Sequence, residues 1–262
     1  MKKLIRLSLL LFKANLNILS YYRTNFYAGI ISTLLWVLLA IVSISVITYQ
    51  TPQIGGWNRF ELFGVQGVYS IILGTAYVLF NENIKNLGRL IRRGNLDFPL
   101  LKPIDSQYLV SFGYYNLYQL ARVFTGMLLL AYSLYVLKVQ ITVFDLLFFL
   151  VFCGASIVVV YSLWFILVTL NFWLEDLFNI HDLIVYTTGL TRYPLEVLRH
   201  LSRCLMYVLL PLVVVTTVPA QVLFKKFNIE MAFWSVIMAV LLFVISRKFW
   251  KFALKHYTSA GS

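Results

Sequence analysis

The run FYAGIISTLLWVLLAIVSISVITY, residues 26–49, decides the fold. It lies inside a longer stretch, Thr24 to Asn58, that carries no charge. At 1.5 Å per residue, the apolar part is long enough to cross a hydrocarbon core of about 30 Å. Lipid offers no water to the backbone, so each N–H and C=O must be satisfied within the segment, and such a run becomes a helix. It does not alternate as a barrel strand would. The whole chain agrees: 61% hydrophobic and 12% charged residues, with a mean hydropathy of +0.83, against about 25% charged in a soluble domain. The fold class is an all-α integral membrane protein, organised as a single transmembrane domain.

Upstream, residues 1–23 place Leu4, Leu7, Leu11, Asn15 and Ile18 near helical spacing, with Lys2, Lys3, Arg6 and Lys13 between them. That pattern suits an amphipathic helix lying in the interface. Downstream, the polar stretch from Gln50 to Trp57 reads as an external loop with an interfacial Trp57. Leu62 to Asn81 returns as span two. Spans three (about Leu109–Leu137) and four (about Leu146–Leu170) follow, and the tight turn holding Lys138 and Asp145 predicts an antiparallel pair. The last span, about Met231–Ser246, runs into a basic tail, residues 247–262.

Between spans four and six the pattern admits two readings. Either Cys204–Phe224 is span five, or span five is about Leu177–Leu190 and residues 191–224 dip into the membrane and return. Pro194, Pro211 and Pro219 favour the second, since each removes a helical donor; Arg192, Arg199 and Arg203 weigh against it. Both readings give six spans with both termini on one side.

The net charge of +12 would suggest nucleic acid in a soluble chain. Its placement argues otherwise. Lys2, Lys3, Arg6, Lys13 and Arg23, then Lys85, Arg89, Arg92, Arg93 and Lys102, then Arg247, Lys248, Lys251 and Lys255 flank apolar spans. Cytoplasmic loops retain Lys and Arg, so the clusters place both termini and residues 82–105 in the cytoplasm.

Chemistry-bearing motifs are missing. The chain has no phosphate loop, no His-Glu-x-x-His and no Gly-x-Ser-x-Gly elbow, so no catalytic or metal-ligating set is expected. His181, His200 and His256 are dispersed. Glu175 and Asp176 point about 100° apart on a helix, which suits a solvated interface better than a shared proton. Cys153 and Cys204 lie in apolar sequence as small hydrophobes. The N-terminus shows no cleavage site after its short apolar run, so no removed leader is expected.

The informative segment is ENIKNLGRLIRRGNLDFPLLKP, residues 82–103. Ile84, Leu87 and Ile91 share a helical face with Lys85, Arg89 and Arg92 between them, so a short amphipathic helix opening at Glu82 should stop at Gly94. Beyond it Leu96, Phe98, Leu100 and Leu101 are expected to expose apolar surface on a loop stiffened by Pro99 and Pro103. Such a loop suits a groove on another protein.

The pattern Gly94-x-Leu96-Asp97-x-x-Leu100-Leu101-x-Pro103 resembles the intracellular loop of the ABC type-2 permeases. Further matching pieces are Gly55-Gly56-Trp57, Arg192-Tyr193-Pro194-Leu195, Pro211, Pro219-Ala220 and the tail Trp250-x-x-Ala253-Leu254-x-x-Tyr257-x-Ser259-Ala260. The resemblance implies that Glu82 to Leu101 forms the helix that sits in an ATPase. It also implies re-entrant helices around Pro194 to Pro219, which selects the second reading above. The chain itself would bind no cofactor, with ATP and Mg held by two partner ATPase subunits. A second permease copy, identical or paralogous, would complete the path through a bacterial plasma membrane. The expected activity is ATP-driven export of an amphipathic substrate; the rival is a secondary transporter or channel, which would need several ionisable residues at mid-membrane.

Arg122 falls inside the expected third span, about 20 Å along it from Leu109. Burying it is costly, so a partner is expected: Glu175, a neighbouring subunit, or an anionic substrate headgroup.

Overall fold

A computed structural model describes residues 10, 11, 13, 15, 23–51, 53–174, 189 and 214–257. Helix α1 (Arg23–Gln50) leads into a hairpin of β1 (Gln53–Ile54) and β2 (Trp57–Asn58). Gly55 and Gly56 take positive φ at the turn, the geometry that a two-residue hairpin requires. Helix α2 (Arg59–Ala76) opens on a capping box in which Asn58 and Glu61 bond each other's backbone N–H. It continues through a π-helical turn, Tyr77–Asn81, into α3 (Glu82–Arg92). Arg59–Arg92 is thus one rod of 34 residues, about 51 Å long, and it outreaches the hydrocarbon core.

Two short helices, α4 (Asp97–Leu100) and α5 (Ser106–Ser111), precede α6 (Leu120–Val136), and α7 (Val143–Thr169) follows a turn in which Lys138 is left-handed. A short apolar helix, α8 (Val214–Leu223), leads to α9 (Ile229–Leu254). Among the described residues, five helices are long and apolar enough to cross a membrane, so the all-α membrane architecture stands. The expected fifth span, Leu177–Leu190, lies outside the described residues apart from Gly189.

Two expectations are corrected. Span three does not begin at Leu109: that residue belongs to α5, and the chain breaks at Phe112–Asn116 before α6. Spans three and four run in opposite directions but barely touch; α6 packs on α2, and α7 packs on α9. Glycine decides the first pairing. A Cβ at Gly126 would meet the Gly67 carbonyl oxygen at 2.8 Å, and one at Gly74 would meet Val123 Cγ2 at 2.8 Å. Small residues let helix backbones approach in lipid, where no hydrophobic effect drives association.

The two ends of the bundle differ: the hairpin end carries β1, β2, Lys225 and Lys226, and the basic end carries α3 to α5 and the last turns of α9. Helix α8 rises toward the hairpin end among buried side chains of α7 and α9, including Phe152 and Ala232.

Candidate coupling site at the basic end

The inward face of α3 explains why the rod stays attached beyond the membrane. Ile84, Leu87 and Ile91 are buried, and Gly88 lies so close to α7 that a Cβ there would touch Val168 Cγ2 at 3.5 Å. Glu82 pairs with Lys85 at 3.3 Å, both half-buried. Arg89, Arg92 and Arg93 point outward. The helix ends at Gly94 (φ 65°), where Gly94 N–H donates to Ile91 O and Asn95 N–H to Leu90 O, the paired bonds of a Schellman stop.

The loop beyond departs from expectation. Leu96 is fully buried and Leu100 packs partly against the core; only Phe98, 73% exposed, and Leu101, 83% exposed, present the apolar tip. The four-residue helix α4 is the cause: it turns Leu96 and Leu100 to one side and Phe98 and Leu101 to the other. Asp97 is half-buried and Pro103 exposed.

Behind the tip stands a polar framework that residue patterns do not announce. Buried Asn83 donates to Leu79 O at 2.8 Å and Tyr114 O at 2.7 Å, and accepts from the N–H groups of Gly113 (2.9 Å) and Tyr114 (2.8 Å). One side chain thereby staples the 112–116 break to the rod. Asp105 accepts the Tyr108 N–H to cap α5 and pairs with Arg247 of α9, whose guanidinium holds the carboxyl below its ordinary value of 3.8. Arg247 also donates to Gln107 Oε1 at 3.2 Å. Gln107 Nε2 donates to the Tyr161 hydroxyl at 3.1 Å, and that hydroxyl lies 2.8 Å from Ser111 Oγ. Trp250 Nε1 donates to Ser106 Oγ at 3.0 Å.

From the tail, the Tyr257 hydroxyl donates to Gly94 O at 2.9 Å, and burial pushes the phenol's pKa up. Leu11, near the N-terminus, packs beside Val78, Tyr115 and Leu117.

Arg122 is placed differently from the sequence expectation. It sits in the first turn of α6, not mid-helix. Its guanidinium carbon lies 5.2 Å from the Tyr69 ring centroid and 5.4 Å from that of Tyr77. The expected partner Glu175 lies outside the described residues, as do Pro194 and Pro211.

Pro219 is described and buried, but it does not break α8. Lacking an N–H, it leaves the carbonyl four residues earlier, that of Val215, without its helical donor. Ser156 Oγ of α7 donates to that oxygen at 2.6 Å.

At the hairpin end Trp57 is 1% exposed, a correction to its expected interfacial position. Its ring supports the Lys226 ammonium at 4.5 Å, and Lys226 donates to Glu61 Oε2 at 2.7 Å and Gly56 O at 2.8 Å. Trp57 is buried because Phe224 closes over it edge to face, 6.0 Å away.

The candidate residues thus separate into a buried inner face (Ile84, Leu87, Ile91, Leu96) and an exposed tip (Arg89, Arg92, Phe98, Leu101). Sequence reasoning missed Asn83, Gln107, Tyr161 and Arg247 as a set, because their partners are 30 or more positions away. The protrusion continues α2 and is joined to α7 through Gln107 and Tyr161 and to α9 through Arg247.

The family model described as ABC-2 family transporter protein matches residues 34–261. No curated protein and no solved structure gives a significant match. The match begins inside α1, covers the other four described spans and includes the whole protrusion, and on it this chain belongs to the ABC-2 transporter family, as an integral membrane component of an ABC transporter.

Proposed function

We propose that this chain is the permease subunit of an ATP-driven exporter and that its ATPase seats on the tip carrying Phe98 and Leu101. The observation that carries the reading is that tip: two large apolar side chains, 73% and 83% exposed, on a protrusion whose other face is packed and hydrogen-bonded. An apolar pair on a segment that also exposes Arg89, Arg92, Arg93 and Lys102 fits a groove with an apolar floor and an acidic rim. The basic end is then cytoplasmic, and both termini lie there with it. ATP and Mg act on the partner, and two ATPases serve two permease copies, identical or paralogous, in a bacterial plasma membrane. Helix α8 is the returning arm of the expected re-entrant segment from the outer face, the earlier part of which lies outside the described residues. The cargo is amphipathic, since 17% aromatic residues offer adaptable contacts.

Co-purification of the full chain with its ATPase tests this. Phe98→Asp together with Leu101→Asp should reduce association by about 100-fold or more, as loss of central apolar anchors does, with membrane insertion unchanged. Leu96→Ala, by contrast, should act through folding. Undiminished association of the double variant, or ATP-independent transport by the permease alone, would sink the reading in favour of a secondary transporter or channel.

A further inference from the structure

The surroundings of Arg122 are unusual for a cation at its depth. Its backbone packs beside Gly74, where a Cβ would lie 3.4 Å from Arg122 Cβ. Gly74 precedes Glu82, the first charged residue toward the basic end of the rod, by eight positions, so the arginine lies about 12 Å inside that level. Its side chain is half-buried. The rings of Tyr69 and Tyr77 cover its guanidinium, and among the described residues no oxygen accepts a hydrogen bond from it. Ring faces attract the cation but take none of its in-plane hydrogens. Five N–H donors in a rigid plane therefore stand unfilled where water is scarce. Behind Tyr77, Trp164 packs edge to face at 5.2 Å, and among the described residues its buried Nε1–H also has no acceptor.

A planar fork of donors matches two oxygens of a phosphate or carboxylate. The aromatic frame suits the glycerol or acyl region next to such a group. In an undisturbed bilayer lipid phosphates lie outside the hydrocarbon, so a headgroup at this depth has been drawn in among the helices. We infer that Arg122, framed by Tyr69 and Tyr77, is the headgroup site for an amphiphile bearing a phosphate or carboxylate, met on its way through the protein. The inference rests on the permease reading and names the class of its cargo.

The test uses the full chain in phosphatidylcholine nanodiscs, without ATPase, titrated with short-chain phosphatidylglycerol, its phosphatidylcholine counterpart and inorganic phosphate, with binding read by native mass spectrometry. Phosphatidylglycerol should bind in preference to phosphatidylcholine, and inorganic phosphate should not compete, since it has no tail. Arg122→Gln should weaken binding by about tenfold or more. Arg122→Lys, which keeps the charge without the fork, should fall between, and Glu175→Gln should change nothing. Equal affinity in Arg122→Gln overturns the site. So does an equal loss in Glu175→Gln, which would show the arginine committed to an internal carboxylate, or conversion of Arg122→Gln to monomers, which would show its partner to be a second copy. With the ATPase added, ATP should release bound phosphatidylglycerol; retention through turnover marks a resident lipid and overturns the cargo assignment. Because binding is measured on the permease alone, its failure leaves the ATPase-docking result untouched.

Discussion

The two ends of this molecule handle charge in opposite ways. At the hairpin end cations are paired: Lys226 lies between Glu61, the Gly56 carbonyl and the Trp57 ring, and Lys225, itself exposed, pairs with Asp145. These contacts tie α2 and α7 to the turn after α8. At the basic end Arg89, Arg92 and Arg93 face outward beside exposed Phe98 and Leu101, while the binding of helix to helix is done behind them by Asn83, Gln107, Tyr161 and Arg247. One end is fastened to itself. The other is fastened at the back and left open at the front, as the proposed ATPase seat requires: a yielding support would absorb the displacement that such a seat transmits.

The seam shared by both ends offers the largest test. Gly126→Leu places atoms where Gly67 O and Ser70 Cβ already lie, each 2.8 Å from the first added carbon. Separating α2 from α6 should cost about 3 kcal/mol or more, seen as loss of the monodisperse peak in detergent; an unchanged Tm would show that the seam is not the common frame.

Next, Asn83→Ala should destabilise by about 2–3 kcal/mol, because it strands buried N–H and C=O groups together. Its effect should be confined to the basic end, so that labelling of a cysteine placed at Lys85 rises while one placed at Gln53 is unaffected. Lys226→Met should cost about 1–2 kcal/mol at the hairpin end, with Glu61 left half-paired, and should show the reverse labelling pattern. Labelling changes at both ends in either variant would dissolve the distinction drawn here.

Ser156→Ala, which orphans the Val215 carbonyl, should cost about 0.6 kcal/mol, typical of a hydrogen bond between membrane helices.

The smallest effect is with pH. Arg247 holds the Asp105 carboxyl below its ordinary 3.8. A depressed folded value means that the contact's contribution is fully present above about pH 4 and is lost as pH falls through the lower folded value. Asp105 is 38% exposed, so solvent screens the pair and the change should be slight. Asp105→Asn should flatten the dependence of Tm on pH between neutrality and pH 3, and an unaltered acid slope would mean that the pair is not formed in solution.

Much of this was legible beforehand. Charge-free runs such as 26–49 specify membrane helices because an unpaired peptide group in lipid is so unfavourable that length and hydropathy suffice, and the stop at Gly94 follows from that residue's freedom at positive φ. What composition could not reveal was which spans pair. The turn at Lys138 joins α6 to α7, but the glycines that let α6 approach α2 are scattered among apolar residues and signal contact only once both helices are in place. The tip shows the same limit. A leucine's exposure depends on what stands behind it, so Leu96 and Leu101, alike in one dimension, part company when α4 turns one to the core and one to solvent.

The sequence by itself therefore determined the solvent, the helices and the amphipathic segment that leaves the membrane, since these depend on local free energies of transfer and backbone satisfaction. Only the tertiary structure decided which apolar side chains are presented at the tip, why Pro219 leaves α8 intact, and that Arg122 meets two aromatic rings. Each of those depends on groups brought together from distant positions, by packing that no window of sequence contains.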